Sequence, residues 1–281
     1  MILDTIAQST FTRVAHAKQQ CSLEELKGKI YTSHGIQQFH NRQPFAFEKA
    51  LKKKKEEVVS NRSNTISFIC EVKKASPSKG IISEDFPYLK IAKEYEAAGA
   101  DAISVLTEPE FFKGENQYLS DISRCVGIPV LRKDFTIDEY QIYEAKNMGA
   151  DAVLLICTLL DTETLKRYLA LCDELGLSAL VEAHTKEELA SALQAGARVI
   201  GVNNRNLKTF EVDLMNSVTL CSMVPKDIIF VAESGIKTPQ DINVLNTAGV
   251  NAVLIGETLM RSSNKKVQLD ELRAGAVKEV H

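Results

Sequence analysis

Four segments of the chain repeat one pattern, in which the end of a helix is followed by a glycine and then by an apolar run. The glycine suits the left-handed residue that closes a helix, and the apolar run suits a parallel strand buried on both faces. The repeats are AAGADAISVL at 97–106, NMGADAVLLI at 147–156, QAGARVIGVN at 194–203 and TAGVNAVLIG at 247–256.

Four more apolar runs alternate with these repeats and raise the number of strand candidates to eight. They lie at 66–70, 128–131, 178–181 and 228–232, with helical stretches at near-even spacing between strands. Self-similarity of this kind indicates a repeat-built architecture, and eight βα units over roughly 200 residues match a TIM barrel. A doubly wound open sheet would need a glycine-rich GxGxxG turn, which the sequence lacks. We therefore predict an α/β fold, a (β/α)8 TIM barrel with an N-terminal helical extension.

The first 60 residues differ from the rest, because they show helical periodicity and no strand pattern. Helices are predicted over 4–18, 22–29 and 45–59, and the lysine run at 52–55 is typical of a solvated helix face. We expect residues 1–60 to form a helical extension packed on the barrel, and residues 61–281 to form the barrel catalytic domain.

Composition narrows the class of protein. The net charge of −3 gives no global reason to expect nucleic acid or membrane partners, and no apolar run approaches the roughly 20 residues of a membrane helix. The N-terminal segment lacks the basic start and apolar centre of a signal peptide. Six cysteines occur without any CxxC pair, which predicts buried thiols in a reducing compartment. We expect a cytoplasmic protein.

Nearly every predicted strand is apolar until its last one or two residues and polar afterwards. In a TIM barrel the carboxyl ends of the strands converge on one mouth, where function resides. Charges that converge there favour a functional pocket over separate structural ion pairs. In chain order the strand ends carry Glu71 and Lys73, Thr107 and Glu108, Lys133 and Asp134, Thr158, Glu182 and His184, Asn203 and Arg205, Glu233 to Gly235, and Gly256 to Thr258.

Two lysines and two carboxylates, Lys73, Lys133, Glu71 and Glu182, would share this enclosed site. Burial and neighbouring charges shift their pKa values, so acid and base forms can coexist near pH 7. That suits proton transfer at a carbonyl or hydroxyl group, although a lysine could instead form a Schiff base. Glu182 and His184 could bind a metal ion, but no other histidine falls at a strand end. We expect neither metal nor cofactor.

Small residues follow the last two strands, at Ser234-Gly235 and at Gly256-Glu257-Thr258. TIM barrels commonly bind phosphate there, through backbone N–H groups at a short helix. The alternative is that these glycines only make tight turns. We predict a phosphorylated small molecule as the ligand.

The barrel motifs, in order and spacing, resemble the indole-3-glycerol phosphate synthase family of tryptophan biosynthesis. An N-terminal helical extension is similar to the family's as well. The motifs are EVKKASPSKG at 71–80, VLRKDF at 130–135, VEAH at 181–184, GVNNRNL at 201–207, VAESGI at 231–236 and LIGETLM at 254–260.

This resemblance implies a carboxy-lyase that closes the ring of 1-(2-carboxyphenylamino)-1-deoxyribulose 5-phosphate, then releases CO2 and water. By likeness, Lys133 is the general acid at the carbonyl oxygen, and Lys73 holds the substrate carboxylate and assists dehydration. Glu182 and Glu71 are the candidate bases. Asn203 and Glu233 position hydroxyl and amine groups of the substrate.

The resemblance also implies residues that hold the two ends of the substrate. Glu257 departs from the family, since some members have serine there, and we expect its side chain to face away while its backbone N–H binds phosphate. The remaining positions are Ser76, Ser234, Gly235 and Gly256 at the phosphate, Phe135 at the anthranilate ring, and Arg205 and Leu207 in the loop after the sixth strand. Asn204 and Asn206 fill variable positions of that loop.

Two alternatives stay open at the level of sequence. One is a phosphosugar isomerase or Schiff-base aldolase on the same barrel. The other is a non-catalytic sensor of a phosphorylated ligand, against which the intact set of polar strand-end residues argues. We expect a monomer or a weak homodimer that binds a phosphosugar-anthranilate and neither nucleic acid nor membrane.

Overall fold

The computed structural model describes residues 2–31, 42–52, 66–206 and 209–276. Eight parallel strands close into a barrel in which each strand pairs with the next and the last pairs with the first. The predicted TIM barrel is confirmed. Its strands are β1 (Ser67–Val72), β4 (Ala102–Leu106), β5 (Val130–Lys133), β6 (Ala152–Ile156), β7 (Ser178–Ala183), β8 (Val199–Asn203), β9 (Ile229–Glu233) and β10 (Ala252–Ile255), and a short hairpin of β2 (Ala75–Ser76) and β3 (Gly80–Ile81) follows β1.

Helices alternate with the barrel strands and precede them. The helices described before the first strand, in residues 2–31 and 42–52, are α1 (Ile2–Gln20), α2 (Leu23–Tyr31) and α3 (Ala46–Leu51). The others are α4 (Tyr88–Ala97), α5 (Asn116–Cys125), α6 (Glu139–Asn147), α7 (Thr162–Glu174), α8 (Lys186–Ala195), α9 (Met215–Cys221), α10 (Pro239–Thr247), α11 (Glu257–Arg261) and α12 (Lys265–Ala274).

The four repeat glycines close their helices as predicted. Gly99, Gly149, Gly196 and Gly249 all have φ between +80° and +90°. The residue after each glycine donates its N–H to the carbonyl five residues earlier, as Ala100 does to that of Tyr95 at 3.0 Å. This is the Schellman arrangement, in which glycine avoids the steric cost of the left-handed region.

Two residues after three of these glycines, a polar side chain connects neighbouring strands. The side chains of Asp101, Asp151 and Asn251 accept the backbone N–H of Phe68, Val130 and Phe230 at 2.7–2.8 Å. Each accepting residue stands just before its own strand, and each donor lies at the start of the preceding one. The repeat therefore carries its own strand-to-strand connection, which the glycine pattern alone did not predict.

Helices α1 and α3 pack on opposite ends of the barrel. Phe47 and Leu51 of α3 are buried among inward-facing residues at the amino ends of the strands. From α1, Ile2, Leu3 and Ile6 line the cavity at the carboxyl ends. The segment before β1 therefore fills the bottom of the barrel and covers part of its mouth.

Several local predictions differ from the structure. The helix predicted over 45–59 is described only as α3, because residues 53–65 lie outside the described part of the chain. The segment after β1 was predicted as a polar loop, but it forms the β2–β3 hairpin, whose three-residue connection precedes the left-handed Gly80 at the start of β3. All six cysteines are free, and only Cys70 and Cys172 are buried, so buried thiols were a wrong prediction for the four half-buried ones.

Among the described residues, no helix combines the length and the apolar character that crossing a membrane requires.

Candidate active site

The carboxyl ends of the strands open into one cavity of about 800 Å³. It is lined by every side chain that the sequence predicted as catalytic, namely Glu71, Lys73, Lys133, Glu182, Asn203 and Glu233. Seven predicted binding residues line it as well, namely Ser76, Phe135, Arg205, Ser234, Gly235, Gly256 and Glu257. Leu207 lies outside the described residues.

The strands run further than the apolar pattern indicated, which places the charged residues on the barrel itself. Glu71 pairs in register with Ser104, Glu182 with Gly201, and Asn203 with Glu233. Because the ladder hydrogen bonds continue to these residues, their backbone is as rigid as the rest of the sheet. Functional side chains on strands are held more accurately than those on loops.

Lys133 lies between two carboxylates. Its Nζ is 3.4 Å from Oε2 of Glu182 and 3.6 Å from Oε2 of Glu233. Burial alone would lower the pKa of Lys133, but the charges of Glu182, Glu233 and Glu71 outweigh burial and raise it. Lys133 therefore carries a proton and a positive charge at neutral pH.

The two carboxylates beside Lys133 have pKa values shifted in opposite directions. Burial would raise the pKa of Glu182, but Lys133, His184 and a hydrogen bond from Asn203 lower it below its ordinary value. For Glu233, burial and the charges of Glu182 and Glu71 raise the pKa well above its ordinary value despite Lys133. Two neighbouring acids with separated pKa values can act as base and as hydrogen-bond donor in one site.

Two glycines make room for this cluster. A β-carbon on Gly201 of β8 would overlap Oε1 of Glu233. A β-carbon on Gly256 would overlap the Glu71 carboxylate and lie 2.7 Å from Nζ of Lys73. Gly256 was predicted only for the phosphate site, and the structure shows that it also accommodates the ion pair between Glu71 and Lys73.

One side of the cavity is apolar. The rings of Phe112 and Phe135 have centroids 6.0 Å apart, and Leu154 and Ile156 lie on the same lining. Phe112 was missed at the level of sequence, although two adjacent phenylalanines follow β4. The carboxylate of Glu108 fixes its loop by accepting the backbone N–H groups of residues 110, 111 and 112 at 2.7–3.0 Å.

The opposite side carries small residues and cations. Ser234 and Gly235 follow β9 with φ of 67° and 82°, which is a sharp left-handed turn. Lys79, Lys237 and Arg261 line the cavity nearby and were not predicted. The carboxylate of Glu257 accepts from Nε of Arg261 at 3.1 Å, so its charge is compensated within α11.

Two residues of the loop after β8 have structural contacts. Arg205 donates to the carbonyl of Phe210 at 3.1 Å while its own N–H bonds Oδ1 of Asn203. Asn204, predicted as a variable loop position, is instead buried and accepts the hydroxyl of Ser217 at 2.7 Å. It also donates to the carbonyl of Ser234, which connects this loop to the turn after β9.

Helix α1 is anchored beside the general-acid candidate. Arg13 donates two hydrogen bonds to the buried carboxylate of Asp134, at 2.6 and 3.0 Å. Asp134 also accepts from Thr107 and pairs with the buried Arg132. Burial would raise the pKa of Asp134, but Arg132 and Arg13 lower it below its ordinary value.

The predicted pair of Glu182 and His184 is present, with Oε1 and Nε2 3.4 Å apart. In the described part of the chain, no group of three or more His, Cys, Asp or Glu side chains is arranged to hold a metal ion.

Comparison with known proteins decides the family. The model of the family described as indole-3-glycerol phosphate synthase matches residues 3–272. The chain belongs to the indole-3-glycerol phosphate synthase family. The indole-3-glycerol phosphate synthase of Ruminiclostridium cellulolyticum is 59% identical over 276 residues, which cover 98% of this chain and 100% of that protein. The one of Lachnoclostridium phytofermentans is 53% identical over 98% of this chain and 99% of its own length.

Solved structures place the family's barrel among other TIM barrels. A 3-hexulose-6-phosphate synthase superposes with a TM-score of 0.62 at 15% identity, covering 75% of this chain and 99% of that one. At such low identity the likeness concerns the fold alone. Membership of the indole-3-glycerol phosphate synthase family confirms the predicted activity and enzyme class, a carboxy-lyase of tryptophan biosynthesis.

Proposed function

We propose that this cavity converts 1-(2-carboxyphenylamino)-1-deoxyribulose 5-phosphate into indole-3-glycerol phosphate, CO2 and water, with lysine as general acid and glutamate as general base. The observation that carries the assignment of residues is the position of Lys133, a charged ammonium between Glu182 and Glu233 in an enclosed cavity. That cavity has an aromatic side and a side of small residues and cations, as the two ends of this substrate require.

Lys133 acts in the first step. The ring carbon that bears the carboxylate bonds to C2 of the sugar, and the electron pair of the carbonyl moves to its oxygen. Lys133 stabilises the developing negative charge and supplies the proton. The bond to the carboxylate then breaks, CO2 leaves, and its electron pair restores the aromatic ring.

Glu182 acts as base in the last step. The C2 hydroxyl leaves as water after it receives a proton from Lys73, and Glu182 takes a proton from the methylene carbon beside the nitrogen. The lowered pKa of Glu182 supports this assignment, because the group is ionised at neutral pH. Glu71 is the alternative base, and its contact with Lys73 holds it beside the lysine that protonates the leaving hydroxyl.

Glu233 and Asn203 position the substrate. The raised pKa of Glu233 keeps its carboxyl protonated near neutral pH, so that it can donate a hydrogen bond to a substrate hydroxyl or amine. Asn203 accepts from the backbone of Arg205 and bonds Glu182, which orients its amide toward the cavity centre.

The two ends of the substrate occupy the two sides of the cavity. The anthranilate ring packs against Phe135 and Phe112, and the phosphate lies against Ser234-Gly235 and Gly256-Glu257, with Ser76 opposite. Backbone N–H groups bind the dianion there, while Glu257 stays paired with Arg261. Arg205 holds the loop that closes this side, and we assign Leu207 to that loop from the family motif.

The expected partners are small molecules. The net charge of −3 offers no attraction to nucleic acid or to anionic membranes, and we propose a cytoplasmic protein that is monomeric or a weak homodimer. Sedimentation at several protein concentrations measures the oligomeric state.

Product formation tests the proposed reaction. The chain contains no tryptophan, so indole fluorescence that appears on mixing the protein with the substrate reports the product directly. We expect fluorescence to rise together with CO2 release, and no rise would overturn the proposal. Borohydride added during turnover separates the aldolase alternative, which would leave a covalent adduct on lysine.

A further inference from the structure

His184 lies behind Glu182 and outside the lining of the cavity. It follows β7, and its buried Nε2 faces Oε1 of Glu182 at 3.4 Å. On the other side of the ring, Nδ1 is 3.3 Å from Oε2 of Glu188. The imidazole therefore stands between the carboxylate assigned as base and a second carboxylate that takes no part in the proposed reaction.

Glu188 holds this ring through an altered helix cap. The sequence Thr185-Lys186-Glu187-Glu188 predicts a capping box, and its first half is present, because Thr185 accepts the N–H of Glu188 at 3.2 Å. The Glu188 carboxylate, however, accepts the backbone N–H of His184 at 2.6 Å and contacts its ring. The hydroxyl of Thr158 donates to the other carboxylate oxygen at 2.6 Å. Glu188 is thus fixed from three directions and orients the imidazole.

The charges around the ring favour an imidazolium. Burial would lower the pKa of His184, but the hydrogen bond to Glu188 and the charges of Glu182, Glu188 and Glu233 raise it. Hydrogen bonds from His184 and Thr158 lower the pKa of Glu188 to about 2, against the effect of burial. A carboxylate accepts protons in hydrogen bonds and donates none, so both ring nitrogens are best satisfied when both carry a proton.

Several elements packed around Glu182 and His184 contribute titratable or polar groups. Lys133 comes from β5, Cys157 follows β6, Glu188 lies on α8, and Glu233 ends β9. Glu71 acts on Lys133 and Glu233 from β1, Asn203 bonds Glu182 from β8, and Asn216 of α9 donates to the backbone carbonyl of His184 at 3.4 Å. His184 and Lys133 both bring positive charge to Glu182. Of these two described residues, Lys133 lines the cavity and His184 does not.

We propose that His184 is a positioning residue for the reaction, which Glu188 holds against Glu182 so that Glu182 stays oriented and negatively charged for its work as base. This inference rests on the base role of Glu182 given in the proposed function. His184 has no contact with substrate in this account, because Glu182 stands between it and the cavity.

The pH dependence of the reaction tests the proposal. In His184→Gln the positive charge is lost, and we expect the acid limb of kcat/KM to move to higher pH by about one unit, a typical effect of an opposite charge at this distance. Glu188→Gln should move it in the same direction by less. The matched control, His16→Gln, changes an exposed histidine of α1 and should leave the profile unchanged. An acid limb of His184→Gln at the wild-type position would overturn the proposal.

An NMR titration tests the pair without any turnover. The His184 ring, assigned by triple-resonance spectra, should titrate at lower pH in Glu182→Gln than in wild type, since coupling between two sites is reciprocal. An unchanged His184 titration in Glu182→Gln would contradict the proposal even if activity is normal. Wild-type protein that forms no indole product would instead refute the proposed function. In that case the titration would still test the interaction between His184 and Glu182.

Discussion

The two carboxylates on either side of Lys133 should respond differently to the same substitution. Glu182→Gln removes the base, so we expect kcat to fall about 10²–10⁴-fold. Glu233→Gln replaces a carboxyl group that is already protonated, and the amide can still donate a hydrogen bond. We therefore expect a fall of less than about tenfold. Steady-state kinetics by indole fluorescence compares the two, and equal losses would contradict the division of roles.

Glu233 should also make the stability of the protein depend on pH. Its pKa is raised in the folded chain above the ordinary value of 4.5, mainly by burial. Between these two values the folded chain binds one more proton than the unfolded chain, so the free energy of unfolding falls as the pH rises. Glu233→Gln should therefore have a higher Tm than wild type at pH 7.5, with a gap that narrows towards pH 4.5. Thermal unfolding at pH 7.5 and at pH 4.5 measures this difference in Tm. A difference that stays constant between the two pH values would contradict the raised pKa of Glu233.

Single site residues could be predicted where a charged side chain lies close to the end of an apolar run. A charged residue such as Lys133 or Glu182, within two residues of the end of a buried apolar run, is conspicuous in the sequence. Phe112 was missed, and His184 was noticed only as a possible metal ligand, because their contacts depend on neighbours from other elements, Phe135 in one case and Glu188 in the other. The sequence shows the type of a side chain, and the packing decides what it faces.

At the scale of elements, two glycines in neighbouring positions should behave differently. Gly201 within β8 leaves room for Glu233, so Gly201→Ala should displace that carboxyl and lower kcat/KM by at least about tenfold, as displaced catalytic groups do. Gly196→Ala at the end of α8 meets open space but forces alanine to φ near +90°. It should cost about 1–2 kcal/mol of stability and leave kcat unchanged. A Gly201→Ala variant with unchanged kcat/KM, or a Gly196→Ala variant that loses activity and keeps its stability, would contradict the packing described.

The anchoring of α1 gives a second prediction. Arg13→Met leaves Asp134 with one of its two arginines, so we expect the free energy of unfolding to fall by about 1–3 kcal/mol. KM should rise several-fold as well, because α1 lines the cavity.

The matched control for Arg13 is Lys18→Met on the same helix. Lys18 pairs with Asp138 at 2.7 Å, but its side chain is 40% exposed, so its loss should cost less than about 1 kcal/mol. Urea unfolding and steady-state kinetics measure both variants. Equal costs would show that the buried contact does not anchor the helix.

Elements were more predictable than their connections. The glycine that ends a helix and the apolar run after it appear in the sequence as a local pattern, which predicted four of the barrel strands, and the apolar runs between these repeats predicted the other four. The β2–β3 hairpin and the Glu188 contact with His184 replaced a predicted loop and half of a predicted capping box. Both depend on competition between nearby partners, which a local pattern does not resolve.

At the scale of the whole molecule, the sequence predicted the barrel and the family, but it did not predict where the first helices pack on the barrel. Phe47 and Leu51 fill the amino end of the barrel, whereas Ile2 and Ile6 reach the cavity at the other end. An amphipathic helix shows which of its faces is apolar, and several surfaces of a barrel can accept such a face. Only the folded chain decides between them.

The proposed reaction depends on the proton that Lys133 donates during ring closure. This role is tested by kcat for Lys133→Ala beside Lys166→Ala, which changes an exposed lysine of α7 outside the cavity. With folding verified by circular dichroism, we expect kcat of Lys133→Ala to fall about 10²–10⁴-fold and that of the control to stay within about twofold of wild type. A Lys133→Ala enzyme that keeps more than about a tenth of wild-type kcat would contradict the claim.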